Sequence, residues 1–295
     1  MTARVAAVIV NYRTPGLTLD CVRSLRQAAP TTRILVVENA SGDDSAQRLA
    51  AELSDDELIV ARSNGGYTAG NNLGIERALA ECADYVLILN PDAVVVEPAF
   101  LDRLIAFLEA NPNVGAVGPR VFLRHPGNVQ NTVIKFPWLW RRAVDWVKYR
   151  LHGPARRCGD EPVEAEVLNG VCVLFRAACL KETGLFDERT FAYLEDVEWA
   201  YRAQAKGWRR MYCPTDSIVH LQKESGYERE SSVDYLLKRN TLYFLLKTRR
   251  FVQAAGYTAA TLGLSLGRSR SWLAKLSRAY YLLWTARWQA CMGRP

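Results

Sequence analysis

Short apolar runs alternate with amphipathic stretches through the first ninety residues of the chain. The runs at 5–10, 33–37, 57–61 and 85–89 predict strands. Between them, 15–28, the stretch after Ser41-Gly42-Asp43-Asp44 and 68–81 carry helical spacing, the first opened by Pro15 and the second by a cap-rich turn. Strands separated by helical stretches of this length predict parallel βαβ units, with helices on both faces of a sheet. The second half is less regular. Residues 114–123, 166–175, 208–213 and 217–221 predict strands, and 195–206 predicts a helix. After about residue 230 the pattern is helical to the end, and no internal repeat is visible. The expected fold class is α/β, a mostly parallel sheet flanked by helices with a C-terminal helical extension.

Polar residues collect where the strands stop. Asn11-Tyr12-Arg13 follows the first, Glu38-Asn39 the second, Asn64-Gly65-Gly66-Tyr67 the third and Asn90-Pro91-Asp92 the fourth. Any one of these is an ordinary turn, because Asn, Asp and Gly are turn formers. Four in succession are better explained by a ligand, since a doubly wound sheet binds ligands beyond the carboxyl ends of its strands.

Composition narrows the class without naming the chemistry. The 295 residues are 49% hydrophobic and 23% charged, which excludes disordered and fibrous chains. Seven cysteines with no C-x-x-C spacing exclude zinc-ribbon and thioredoxin-like readings and point to a reduced, cytoplasmic setting. No apolar leader follows Met1. The net charge of +7 is unevenly spread: residues 231–295 hold 11 Lys and Arg against Asp234 alone. The preceding 230 residues hold 27 basic and 30 acidic groups. The expected organisation is therefore a mildly acidic body, 1–230, and a basic helical region, 231–295.

Three segments carry candidate chemistry. Residues 64–74 (NGGYTAGNNLG) form a glycine-rich turn before a helix, where backbone N–H groups can approach phosphates. The segment matches neither the G-x-G-x-x-G nor the Walker pattern. Asp92 ends an apolar strand and offers a hard oxygen ligand of the kind Mg²⁺ or Mn²⁺ takes beside phosphate oxygens. Glu195, Asp196 and Glu198 crowd the start of a helix behind the apolar Phe191-Ala192-Tyr193-Leu194. Acids at a helix N-terminus are favoured by the dipole alone, yet a desolvated, crowded carboxylate also makes a general base. His220 ends a strand near Lys223 and Ser225, which makes it a candidate second metal ligand, with Lys223 a candidate phosphate contact.

The ordered series VIVNYRTPGLTLDCVRSL, VVENASGDDS, NGGYTAGNNLGI, LILNPDAVV, LNGVCVLFR and FAYLEDVEWAYRAQAKGW resembles the inverting glycosyltransferases of family 2, which have a GT-A fold. The resemblance spans about residues 4–225 and is most similar to bacterial rhamnosyltransferases of cell-wall and surface-polysaccharide assembly. It implies that Asn11, Tyr12, Arg13, Glu38 and Asn39 hold the nucleotide, with Glu38 standing where the family more often has Asp. It implies further that Gly65, Gly66, Asn71, Asn72 and Asn90 line the donor, and that Asn169 and Gly170 border the acceptor. Asn90-Pro91-Asp92 occupies the place of the family's D-x-D motif with only the last acid kept, so a Mg²⁺ or Mn²⁺ ion would rest on Asp92, the diphosphate and His220. Glu195-Asp196 matches the family's acidic pair, with Asp196 the expected base.

The implied activity is metal-dependent transfer of a sugar, rhamnose from dTDP-rhamnose or a UDP-sugar, to a lipid-linked or glycan acceptor. The alternatives are a non-catalytic nucleotide-sugar or membrane-binding module, and nucleotidyl transfer. The last is disfavoured because no Arg or Lys lies between Asn64 and Glu76. The basic tail interleaves Trp272, Tyr280, Tyr281, Trp284 and Trp288 with Arg and Lys, a pattern of interfacial helices. It predicts attachment to the inner face of the cell membrane through 231–295, assisted by 136–151, rather than nucleic-acid binding. A homo-oligomer interface is the competing use of the tail. The charge-free stretch 251–267 is too short and polar to span a bilayer.

Overall fold

The computed structural model describes residues 3–124, 128–138, 159–221, 230–268 and 281. The chain divides into two compact units, Met1–Lys135 with Arg156–Glu228, and Phe136–Ala155 with Arg229–Pro295. The segment at 136–155 thus belongs with the C-terminal region rather than with the body that surrounds it in sequence.

The first unit is built on β1 (Val5–Asn11), β2 (Arg33–Glu38), β3 (Leu58–Val60) and β4 (Tyr85–Leu89), all parallel, in the order β3-β2-β1-β4. The connecting helices are α1 (Pro15–Ala28), α2 (Ser45–Ala50) and α3 (Gly66–Ala80). All seven residues of β1 are buried. Ala7 and Ile9 join the core on one face of the sheet, Ala6, Val8 and Val10 that on the other. A central strand with no solvated face is continuously apolar for this reason. Its neighbour α3 lies so close that a Cβ on Gly74 would fall 2.2 Å from Val8 Cγ1, so only glycine permits that approach.

Beyond β4 the sheet becomes mixed. After β5 (Ala93–Val95), α4 (Phe100–Ala110) and β6 (Val114–Leu123), the chain forms β7 (Val133–Ile134), β8 (Val163–Glu164) and β9 (Val167–Leu168). Then β10 (Cys172–Arg176) enters antiparallel between β4 and β6, and β11 (Arg209–His220) runs parallel to β6. Strands β1–β4, β6 and β11 share one direction, so the sheet is mostly parallel.

The expected strand over 166–175 is two strands, β9 and β10, broken at Asn169-Gly170-Val171. The two expected short strands at 208–213 and 217–221 are one, β11, whose register against β6 slips at Asp216. Pro214 lies within that irregular stretch, which is why the sequence reads as a break. Helices α5 (Ala177–Thr183) and α6 (Glu195–Ala205) follow β10 and precede β11.

The second unit contains α7 (Glu230–Lys247) and α8 (Phe251–Arg268). Phe244 stacks on Phe136 and Trp138 at ring-centroid distances of 6.3 and 5.5 Å, and the Arg250 guanidinium sits 4.1 Å above the Trp138 ring. Aromatic stacking of this kind adds roughly 0.5–1.5 kcal/mol per pair beyond area burial and fixes Phe136 and Trp138 on α7.

Candidate active site

The carboxyl ends of β1, β2 and β3 converge through side chains that bond one another. Asn11 is fully buried; its Oδ1 accepts from Thr18 Oγ1 at 2.9 Å and its Nδ2 donates to Ser41 Oγ at 3.4 Å. Arg13, held at φ 59°, donates from its backbone N to Ser41 Oγ and from Nε to the Ser41 carbonyl, and its guanidinium covers the Tyr12 ring. The Glu38 carboxylate accepts the Ala40 and Ser41 backbone N–H groups at 3.1 and 2.8 Å, so it closes the turn that follows β2. Asn39 Nδ2 donates to Asn64 Oδ1 and to the Gly66 carbonyl. Ser41 and Asn64 therefore organise this side of the site, and both stand in motifs legible in the sequence.

Gly65 caps α3 and Gly66, its first residue, has φ +83°, a region that L side chains rarely adopt. A Cβ there would sit 2.2 Å from the Phe191 carbonyl oxygen. That carbonyl accepts from Thr68 N and Thr68 Oγ1, both at 3.1 Å, which latches the loop before α6 onto the first turn of α3. Asn71 Nδ2 donates to the Tyr67 carbonyl one turn back, while its Oδ1 is buried without a hydrogen bond. Asn72 is occupied differently from the expectation. It bonds the Phe186 carbonyl, the Phe186 N–H and Glu188 Oε1, and so ties α3 to the 186–188 segment.

At the end of β4, Asp92 Oδ2 lies 3.2 Å from His220 Nε2, and His220 Nδ1 lies 2.9 Å from Gln130 Oε1. A proton on Nδ1, donated to Gln130 Oε1, would leave Nε2 a lone pair for a metal ion. The pair offers a carboxylate oxygen and an imidazole nitrogen close together, a donor set that would hold Mg²⁺ or Mn²⁺ beside a diphosphate. Among the described residues no group of three or more His, Cys, Asp or Glu stands together as a complete metal cage. Gln130 lies in a stretch without periodicity, and no sequence signal marked it.

The acidic pair sits at the start of α6. Glu195 is only 7% exposed and its Oε2 makes no hydrogen bond among the described residues. Asp196 is half-buried, with Oδ1 accepting its neighbour Val197 N–H at 2.8 Å. Burial raises both carboxyl groups above the ordinary range, and the Asp196 charge raises Glu195 further. Backbone N–H groups, that of Gly170 among those at Asp196, pull the other way but do not win. A merely dipole-stabilised pair would be lowered, so desolvation decides the character of this site. Glu198 has turned away and pairs with Arg202 at 2.9 Å.

The backbone leading to the pair is strained. Phe191, Tyr193 and Leu194 all have positive φ. Phe191, at φ 64° and ψ −59°, is the centre of a γ-turn of the rare hand, closed by Ala192 N donating to the Thr190 carbonyl at 2.8 Å. Such conformations cost of order 1–3 kcal/mol each and persist only where surroundings enforce them. Here the enforcement is the Thr68 latch.

Tyr67 joins the parts. Its hydroxyl donates to Asn90 Oδ1 at 2.9 Å and lies 3.1 Å from the Gly170 carbonyl oxygen. Burial raises its pKa well above the usual phenol value, and the charges of Glu195, Asp196 and Asp92 add to the shift. A cavity of about 20 Å³, enough for roughly one water, is lined by Tyr67, Gly170, Glu195 and Asp196 and by apolar side chains such as Ile88, Phe175 and Trp199. The Asn169-Gly170-Val171 turn borders it, and the Val171 carbonyl accepts the Asn90 N–H. Tyr67 was not singled out from the sequence, although it stands inside the glycine-rich segment. Lys223 lies outside the described residues.

Residues 3–241 match the family described as "Glycosyltransferase like family 2". The chain is 30% identical over 246 residues to an N-acetylglucosaminyl-diphospho-decaprenol L-rhamnosyltransferase of Mycobacterium tuberculosis, covering 76% of this chain and 78% of that protein. It is 26% identical to the low-salt glycan biosynthesis hexosyltransferase Agl10 of Haloferax volcanii, covering 79% and 72%. Its fold is similar to a crystal structure of GalNAc-T7 with UDP, GalNAc and Mn²⁺, at TM-score 0.62 and 15% identity. That match covers 82% of this chain and about half, 47%, of the other. These findings set aside the non-catalytic and nucleotidyl-transfer alternatives: the chain belongs to glycosyltransferase family 2 and is a glycosyltransferase with a GT-A type fold.

Proposed function

We propose that the enzyme transfers a sugar from a nucleotide-diphosphate donor to a hydroxyl of a lipid-linked or polysaccharide acceptor, with inversion at the anomeric carbon. The observation that carries this reading is that Tyr67, whose hydroxyl bonds Asn90 at the end of β4 and the Gly170 carbonyl, lines one cavity with Glu195 and Asp196. Asp92 belongs to the donor side and the acidic pair to the acceptor side, so the bond to be broken has its place between them.

The residues take the following parts. Asn11, Tyr12, Arg13, Glu38 and Asn39 form the nucleotide end, and Gly65, Gly66 and Asn90 the sugar-diphosphate end. Asn169 and Gly170 border the acceptor. Asp92 and His220 would hold Mg²⁺ or Mn²⁺, which neutralises charge on a leaving diphosphate when bound. Asp196, exposed enough to be reached, accepts the acceptor hydroxyl proton as its oxygen attacks the anomeric carbon. Its raised pKa makes it a stronger base than a solvated carboxylate. Glu195, the more deeply buried of the two, keeps its proton to higher pH and so spares the site a second negative charge.

The similarity to a rhamnosyltransferase favours dTDP-rhamnose as donor, and the fold neighbour crystallised with UDP keeps a UDP-sugar as the other reading. The relative's lipid-diphosphate substrate favours a lipid-linked acceptor. No helix among the described residues is long and apolar enough to cross a membrane, which leaves surface attachment through the basic region 231–295 as the mode proposed here.

The test is a product analysis. Purified protein is supplied with dTDP-rhamnose or UDP-sugars, Mn²⁺ and a diphospho-lipid acceptor, and the anomeric configuration of the product is read by NMR. The reading predicts release of nucleoside diphosphate and a product of inverted configuration. Retention, or release of pyrophosphate, would overturn it.

A further inference from the structure

Over 251–261, the part of α8 whose side chains are described, the solvent face is apolar: the exposed residues are Phe251, Val252, Ala255, Ala259 and Ala260, with Phe251 63% and Val252 87% exposed. Positions 252, 255 and 259 recur at helical spacing and lie along one face. Ala254, on another face, is buried. The polar residues Gln253, Thr258 and Thr261 are partly covered instead, and the Thr258 and Thr261 hydroxyls donate to carbonyls one turn back. A helix of a water-soluble domain distributes its side chains the other way round.

The surroundings say what covers this face. From residue 235 onward the sequence contains no Asp or Glu, and Arg249 and Arg250 stand exposed at the corner from which α8 starts. Arg268 closes the helix at its other end, and no charged side chain lies between. A second copy would bring the same unbalanced arginines together and repel, whereas an anionic lipid surface complements them and takes up the apolar face.

We infer that α8 lies flat in the headgroup region of an anionic membrane, with Phe251, Val252, Ala255 and Ala259 immersed and Arg249 and Arg250 on lipid phosphates. This deepens the proposed membrane attachment, on which it rests, by naming the element and the face that enter the bilayer. The depth is that of an interfacial helix, several ångströms, and the exposed area is modest, so binding needs both the apolar face and the arginines.

The experiment compares full-length protein with Ala255→Glu/Ala259→Glu, and with Asp234→Ala on α7 as a control. Each is co-sedimented with phosphatidylglycerol/phosphatidylcholine vesicles and with pure phosphatidylcholine vesicles. Thermal midpoint and donor binding establish that the variants are folded, and light scattering gives their mass. The inference predicts binding of the wild type to anionic vesicles only, at least a tenfold drop for the double glutamate variant, and no drop for the control. If the wild type fails to bind, the membrane reading itself falls. If the wild type binds and the glutamate variant binds equally, the membrane reading stands and the assignment to α8 is overturned. A variant that changes mass without changing vesicle binding makes the face a contact between copies, which also overturns it.

Discussion

The side of the site proposed for the donor and the side proposed for the base differ in how their polar groups are partnered. Around β1, β2 and the start of α3, polar side chains close on one another: Asn11 with Thr18 and Ser41, Glu38 with two backbone amides, Asn39 with Asn64. Around α6, a buried carboxylate oxygen has no hydrogen bond, two carboxyl groups are raised by desolvation, and three non-glycine residues are held left-handed. Side chains that bond one another suit a surface that must accept a flexible nucleotide in one pose, and Asn71 Oδ1 is a donor-side atom left without a hydrogen bond among the described residues. Unmet demand suits a group that must take a proton at neutral pH. The two sides are joined at two points, the Thr68 latch on the Phe191 carbonyl and the Tyr67 hydroxyl. A change on the donor side should therefore be felt at the base.

The comparison can be broken most severely at the latch. Gly66→Ala forces a Cβ against the Phe191 carbonyl at a left-handed position, and is expected to cost roughly 2–4 kcal/mol. A lowered thermal midpoint accompanied by loss of turnover would be seen, and an unchanged midpoint would dissolve the latch. Gln130→Ala frees the His220 ring without touching Asp92 or His220. It should weaken Mn²⁺-dependent donor binding by roughly 10–100-fold, measured by calorimetry.

Tyr67→Phe removes the hydroxyl that links Asn90 and Gly170. The expected loss is about 1 kcal/mol, close to fivefold in kcat/KM. If donor Kd shifts and kcat does not, Tyr67 serves the donor side alone. The smallest effect concerns pH and stability. Because the folded protein holds the Glu195 and Asp196 protons above the ordinary carboxylate range, it binds more protons than the unfolded chain there. Stability should fall as pH rises through that window. Glu195→Gln should flatten the fall in thermal midpoint.

The regular half of the fold was legible because burial on both faces of β1 and β4 demands unbroken apolar runs, and such runs stand out. Residues 5–10 and 85–89 read as strands and fold as strands for that reason. The irregular half hid its structure. β5 and β9 are two or three residues long, too short for a period, and α4 and α5 lie where no expectation was formed. The candidate residues at strand ends were visible as motifs. Their bonding was not, and Asn72 shows the difference: it sits within the donor motif yet serves the 186–188 segment. The left-handed Phe191, Tyr193 and Leu194 carry no glycine to betray them, since their conformation is imposed by distant contacts.

The claim at the centre of this account is that Asp196 acts on the acceptor proton and does not hold the donor. Asp196→Asn keeps the shape and removes the base. Transfer rate and donor affinity should be measured together on that one variant, with circular dichroism to show that it is folded. A fall in kcat of roughly 10²–10⁴-fold with donor Kd within about twofold of wild type is the result expected. Turnover near the wild-type rate, or a donor affinity lost in proportion to the rate, would contradict it.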